Sequence, residues 1–351
     1  MRDTVVIGGG VLGQLTALAL ADRGRRVRLL DAGLPPASWA GGGILSALFP
    51  WRYPDALTAL TFQALPAYQA LAARIMNAGA KDPEAHKTGL LIHAETEIEQ
   101  AIAWAASWQI QVMPGESSGL PSILRSPGAL WFPDIGTIRN PRLLKGLSHL
   151  LRQSGVIIER SVHVSALRRS GSAWRLQTSR GEYQTEQVLL AAGAWSTALL
   201  ASLGVTLPLR PVQGEMLLYD TGSPAPPCVV LTDEGYVIPR ADGQTVVGST
   251  MREAGFDQRP TEEAYVALRK VGERLWPPLR SREPVAQWAG LRPGSNRPWP
   301  WLSEVPSAPG LFVAVGHHRN GLVSAPASAY LLAALMCDQR PPFDPEPYRL
   351  F

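Results

Sequence analysis

Cysteine is nearly absent: Cys228 and Cys337 are the only two in 351 residues, and their spacing fits neither a metal-ligand set nor a redox pair. Lysine is scarce as well, occurring only at 81, 87, 145 and 270, so the formal charge of +4 rests on arginines. Those arginines are scattered and form no stripe on one helix. Arg23, Arg25 and Arg26 follow an apolar helical stretch, where cations are favoured anyway. No nucleic-acid partner is expected. No apolar run reaches the ~20 residues of a membrane helix, so no membrane partner is expected either. The first apolar run begins at Thr4 and is consumed by a glycine-rich turn, which leaves no signal peptide. A reducing, cytoplasmic location is the expectation. Repeats and low-complexity tracts are lacking, and 46% hydrophobic with 18% charged residues is an ordinary globular composition.

The chain is organised around its first thirty-one residues. Asp3 to Ile7 is a β-branched run that reads as a buried parallel strand. It enters Gly8-Gly9-Gly10-Val11-Leu12-Gly13, a G-x-G-x-x-G turn, and a helix carried by Leu12, Leu15, Leu18 and Leu20 until Gly24 stops it. Val27 to Asp31 is a second strand, ending on an acid eighteen residues after Gly13. Together these form a dinucleotide-binding unit. Gly8 makes the tight turn, Gly10 admits a pyrophosphate to the backbone, and Gly13 lets the helix pack on the strand. The helix start offers N–H groups and a positive dipole end to phosphates. Asp31 stands where a carboxylate accepts from ribose hydroxyls.

Further along, Pro35 to Ser46 holds small residues and three consecutive glycines, which implies backbone lying against something large and flat. Helices are expected within 56–78, 95–108, 261–274 and 326–337, and one opens at Asn140-Pro141 with proline at its first position. A strand is expected at Val156–Glu159, buried strands at Gln187–Leu190 and Leu311–Val315, and a strand-rich region at 211–250. Ala286 to Pro293 reads as a strand ending in a charged turn. The fold class is α/β plus α+β. A Rossmann-like domain is expected from residues 1–75, 140–210 and 290–351, with an inserted, mainly antiparallel-sheet domain from 76–139 and 211–289.

These residues resemble the D-amino-acid oxidase superfamily of FAD-dependent amine oxidases, and within it the glycine oxidases of bacterial thiamine-thiazole synthesis. The markers run in family order: Gly8 to Gly13, Ala37 to Ile44, Phe132 to Gly136, Val247 to Met251, Gly290 to Gly294 and Gly316 to Gly321. The resemblance implies non-covalent FAD in an extended form. Gly8, Gly10, Val11, Leu12 and Gly13 would lie at the pyrophosphate, Asp31 at the ribose, and Ser38, Gly42, Gly43 and Ile44 along the diphosphate and flavin. Val162 would meet adenine through its backbone and Gly193 would line the crevice. His318, Asn320, Gly321, Leu322 and Val323 would pass beside the flavin ring.

The same resemblance places Arg292 on a substrate carboxylate, gripped bidentately. Tyr236 would add its hydroxyl, and Arg319 would offer its backbone carbonyl to the amine. As residues alone, Arg292 also reads as a turn arginine and Tyr236 as a strand-core aromatic. Hydride would pass directly to the flavin, so no residue is assigned as catalytic and neither His317 nor His318 receives an acid–base role. Adjacent histidines without a third ligand make no metal site. Glu234 would stand beside the substrate mouth; Met251 and Trp51 are candidates for pocket wall or for core. The implied reaction is oxidation of glycine, sarcosine or a small D-amino acid by O2, in a homotetramer. A flavin dehydrogenase with another acceptor is an alternative. A tRNA-modifying flavoprotein is a third reading, disfavoured by the want of a fused methyltransferase domain and of a basic face.

Overall fold

The computed structural model describes residues 3–222 and 224–350. Its first sheet has six strands in the order 301–304, 311–315, 187–190, 3–7, 26–31, 157–160. Every pair is parallel except the outermost, Trp301–Glu304 against Leu311–Val315. Strand β1 (Asp3–Ile7) sits near its centre, between β2 (Arg26–Asp31) and Gln187–Leu190. A strand covered on both faces is apolar at successive positions. Val6 faces a core that includes helix α1 (Val11–Ala21), while Val5 and Ile7 face a core built with Trp174 and Leu176.

Helix α1 packs against the helix Ala325–Met336. Each is apolar nearly all round, because each lies between sheet and helix and keeps little solvent face. Gly24, at φ +75°, follows the end of α1, and Arg23 Nη1 donates to the Ala19 carbonyl at 2.8 Å.

The second sheet has eight strands in the order 284–295, 209–220, 244–248, 235–239, 229–232, 90–93, 129–132, 113–114. It is antiparallel throughout except where Val229–Thr232 lies parallel to Leu90–His93. This is the mixed α/β and mainly antiparallel architecture expected. Two details differ from the sequence reading. The strand Pro284–Ser295 does not end in a charged turn at Pro293 but runs on to Ser295, so Arg292 lies inside a strand opposite Val212. Pro293 is tolerated there because the strand is at the sheet edge, where a missing N–H costs no ladder bond on the open side. Strands at Val164–Ser170 and Trp301–Glu304 were not anticipated; Pro298 and Pro300 obscure the second. The first completes a three-stranded antiparallel ribbon with Ala173–Thr178 and Gly181–Thr185.

Among the described residues, no helix is long and apolar enough to cross a membrane, and no group of three or more His, Cys, Asp or Glu is placed to hold a metal.

Candidate functional site

One long cleft runs from the carboxyl edge of the six-stranded sheet to the first strands of the eight-stranded one. At its nucleotide end the backbone is shaped by contacts no side chain could make. Gly8 takes φ +113° and donates its N–H to the Leu30 carbonyl at 2.8 Å. A Cβ on Gly8 would run into the Ala191 carbonyl, and one on Gly13 into the Gly8 carbonyl. A Cβ on Gly10, by contrast, would find its nearest atoms, on Pro36 and Ser38, at 3.6 Å. Gly13 is therefore a packing glycine that does not line the cleft, and Gly10 is an open one that does.

Asp31 braces this loop. Its Oδ2 accepts from the Gly9 N–H at 2.7 Å and its Oδ1 from the Gly33 N–H at 2.9 Å. Ser38 Oγ accepts from the Val11 N–H at 3.1 Å at the start of α1. The Val162 N–H is engaged by the Asp31 carbonyl at 2.9 Å, so what Val162 presents to the cleft is its carbonyl and side chain. Gly193 takes φ +57°, and the space beyond it is open.

The middle of the cleft is walled by Gly41, Gly42, Gly43 and Ile44 on one side and by His317 to Val323, without Asn320, on the other. Asn320 is buried away from the cleft, its carbonyl accepting from the Ser324 N–H and hydroxyl. His317 is buried with its Nε2 unpaired, and burial lowers its pKa to about 3. His318 sits at φ +47°; burial, then the charges of Arg292, Arg319 and Arg210, lowers its pKa to about 4. Both imidazoles are neutral at pH 7.

At the far end lies Arg292. Its guanidinium lies over Gly214, where a Cβ would occupy the same space. Nη1 donates to the carbonyls of Thr250 at 3.1 Å and Gln213 at 3.4 Å, and Nη2 donates to Ser249 Oγ at 2.9 Å. Of five guanidinium N–H groups, the Nε–H and one Nη2–H remain without a protein acceptor among the described residues, and no carboxylate pairs with this cation. Enclosure pulls its pKa down, Tyr236 nearby opposes that, and Arg319 adds to it. Tyr236 is buried and lines the cleft, its hydroxyl meeting only Met216 Sδ at 3.6 Å, a weak acceptor. The Arg319 carbonyl has no protein donor among the described residues.

Three residues from the sequence lie elsewhere. Glu234 is exposed and pairs with Arg274 at 2.7 Å. Met251 is exposed, and Trp51 is core, packed against Phe49 and Phe132. None of the three lines the cleft. Sequence reasoning in turn passed over Gln213, Gly214, Asn140 and Ser249. Gly214 left a physical signal, because an isolated glycine inside a twelve-residue strand, Leu209–Asp220, marks a close approach by another group; Ser249 lay within the Val247 to Met251 marker and Asn140 at a helix start, neither with a role of its own.

A family model described as FAD dependent oxidoreductase (DAO) matches residues 3–335. The glycine oxidase of Pseudomonas aeruginosa is 42% identical, over 98% of this chain and 97% of that protein. The bifunctional protein ThiO/ThiG of Synechocystis is 27% identical over 96% of this chain, which spans 52% of that longer protein. The crystal structure of glycine oxidase from Geobacillus kaustophilus superposes with a TM-score of 0.93 at 27% identity, over 100% of this chain and 99% of that one.

Proposed function

This chain belongs to the family of FAD-dependent oxidoreductases, and from that premise we propose that it oxidises glycine, with sarcosine or small D-amino acids as further substrates. The observation that carries the reading is the unpaired donor edge of Arg292, a cation without a counter-ion at one end of a cleft whose other end is a dinucleotide turn.

The residues fit FAD on their own geometry. The open face of Gly10 and the first turn of α1, where Ser38 Oγ engages the Val11 N–H and Gly10 itself has no side chain, suit a pyrophosphate. The small residues at 41–43, the open space at Gly193 and the loop 321–323 before the helix Ala325–Met336 suit a flat ring laid between the two sheets. Gly13 and Asn320 then act by packing, while Gly8, Val11, Leu12, Asp31, Ser38, Ile44, Val162 and His318 line the path. When bound, FAD supplies the hydride acceptor.

The chain's own residues orient the amino acid. The Nε–H and Nη2–H of Arg292 grip the carboxylate side-on, an arrangement worth more than a neutral hydrogen bond. Tyr236 turns its hydroxyl from Met216 Sδ to the same group. The Arg319 carbonyl accepts from the amine, which fixes the direction of the Cα–H bond. The positive field of Arg292 and Arg319 favours the neutral amine over ammonium. His317 and His318 are too weakly basic to hold the proton that leaves.

With O2 as acceptor the balance is glycine, O2 and water to glyoxylate, ammonia and hydrogen peroxide, and the imine that precedes hydrolysis is the species available for thiazole formation, as the name ThiO/ThiG of a relative suggests. The proposal includes a cytoplasmic homotetramer and two units, a cofactor unit from 1–75, 140–210 and 290–351 and a substrate unit from 76–139 and 211–289, with Arg292 at their junction.

The test is anaerobic mixing of the purified holoenzyme with glycine while the long-wavelength flavin band is followed. Bleaching, then recovery and peroxide on admitting air, supports an oxidase. Bleaching without recovery overturns the choice of O2. No bleaching with glycine, sarcosine or D-alanine overturns the substrate class.

A further inference from the structure

Behind the glycine run that walls the middle of the cleft, three successive carbonyls are held from one side. The Gly41 carbonyl accepts from Asn140 Nδ2 at 2.9 Å, the Gly42 carbonyl from Arg240 Nη2 at 2.6 Å, and the Gly43 carbonyl from the Ile138 N–H at 2.8 Å. Arg240 also donates through Nη1 to the Ile138 carbonyl at 3.1 Å, so one guanidinium ties the glycine run to the segment that opens the helix Asn140–Gln153. It follows Tyr236 by four residues, in the turn that ends the strand Gly235–Pro239.

This arginine is placed unusually. The guanidinium is enclosed, which lowers its pKa to about 10; Arg139 adds repulsion while Glu84 and Asp242 oppose it, and the side chain remains a cation at neutral pH. Among the described residues no carboxylate lies within ion-pair distance of it. The carboxylates of that corner are engaged by others: Asp242 by Arg139 at 2.5 Å, and Glu84 by Arg142. An enclosed guanidinium whose hydrogen-bond partners are both carbonyls is costly unless its position is used.

The peptide it holds points the use out. In a trans peptide the N–H lies on the opposite edge from the carbonyl. With the Gly42 carbonyl fixed on Arg240, the Gly43 N–H is directed away from the guanidinium, and nothing in the described residues accepts from it. A charged donor on the carbonyl polarises the peptide and strengthens that N–H as a donor. Gly43 lines the cleft, at φ +84°. Beside it, Asn140 is fully buried, also lines the cleft, and has an unpaired Oδ1.

We propose that Arg240 is a positioning residue for the cofactor: through Gly42 it aims and strengthens the Gly43 N–H toward the flavin ring, and it places a fixed positive charge behind the wall against which the ring lies. The proposal rests on the reading that FAD occupies this cleft.

The test compares Arg240→Lys and Arg240→Met with Arg139→Gln, which removes a neighbouring cation but no contact to the glycine run. FAD dissociation from the apoprotein is measured by flavin fluorescence, and the flavin midpoint potential by equilibration with a reference dye. Arg240→Met is expected to weaken FAD binding at least about tenfold, the effect of losing a hydrogen bond to a charged group, and to move the potential to more negative values. Arg240→Lys keeps the charge but replaces the planar fork, one nitrogen to each carbonyl, with a single nitrogen on a shorter stem, so it should recover the potential and only part of the affinity. Arg139→Gln should change neither. Wild-type affinity and potential in a folded Arg240→Lys and Arg240→Met would overturn the proposal, as would an equal loss in Arg139→Gln. If Arg240→Met fails to fold, Arg240→Lys decides: unchanged affinity overturns the clamp, and reduced affinity with preserved potential supports it. Failure of the wild-type apoprotein to bind FAD would instead remove the underlying reading.

Discussion

At its nucleotide end the cleft is made of backbone: Gly8, Gly10, Val11 and the start of α1 follow one another within a few residues, and Asp31 braces them from the next strand. At its other end it is made of side chains and carbonyls that meet from Gln213, Tyr236, Ser249, Thr250, Arg292 and Arg319. The first arrangement needs small residues at fixed local spacing, so it is visible in sequence order. The second needs strands of the eight-stranded sheet that are far apart in sequence to meet a loop that follows Leu311–Val315, so its members are not neighbours in sequence order. The geometry of the far end therefore depends on tertiary contacts, while the nucleotide end starts from a short contiguous turn.

Substitutions at the two ends should separate these functions. Arg292→Ala has the largest expected effect: glycine kcat/KM falls about 10²–10³-fold, from about 3–4 kcal/mol for truncating one member of a buried charge pair. The flavin spectrum of the purified protein should be unchanged; a colourless variant would show that the two ends are not independent. Within the nucleotide turn, Gly13→Val and Gly10→Val should part company. The first forces Cβ into the Gly8 carbonyl and should lower the apoprotein's stability by about 1–3 kcal/mol in urea unfolding. The second puts its Cβ no closer than 3.6 Å to any neighbour, so stability should fall less than in Gly13→Val while FAD affinity drops about tenfold or more, from ~1.5–3 kcal/mol for a lost bond to phosphate.

Gly214→Ala sharpens the comparison from the substrate side. A methyl group there displaces the Arg292 guanidinium, and glycine kcat/KM should fall on the order of 10-fold to 10²-fold, the scale for a misplaced orienting group, with FAD affinity intact. The smallest effect concerns His317. Its folded pKa, about 3, lies below the unfolded value near 6.5. The unfolded chain thus binds more protons between those values, and stability is lost as pH falls from about 6.5 toward 3, by up to ~1.4 kcal/mol per pH unit. Urea unfolding at pH 6.5 and 5 should show a shallower loss in His317→Asn than in wild type; equal slopes would show that His317 titrates freely.

Much of the fold was legible because the central strands of the six-stranded sheet are covered on both faces and read as continuous apolar runs such as Val5-Val6-Ile7 and Leu311 to Val315. Trp301–Glu304 was hidden by flanking prolines. The end of the strand carrying Arg292 was misplaced because Pro293 and Gly294 look like a turn, and only the open sheet edge makes them compatible with a strand. In the site, Arg292, Tyr236 and Arg319 came from a family resemblance, and the cleft gathers all three. Glu234, Met251 and Trp51 were drawn toward it by proximity in sequence to site residues, which says nothing of which way an alternating strand or an exposed loop points its side chains. Arg240 was missed for the opposite reason: its partners, Gly42 and Ile138, are carbonyls, and a carbonyl leaves no trace in residue type.

The central position of β1 has a consequence for how the molecule is made. One neighbour, β2, leaves the ribosome almost at once, but the other, Gln187–Leu190, follows some 180 residues later. At ~5–20 residues per second that interval is roughly 10–40 s. During it the apolar edge of β1 has no strand beside it, and an unpaired edge of this kind invites pairing with another chain. Nascent chains stalled before residue 187 should accordingly be the form that chaperones hold and that aggregates. The turn read most easily from the sequence is thus synthesised long before the strand that completes the sheet around it.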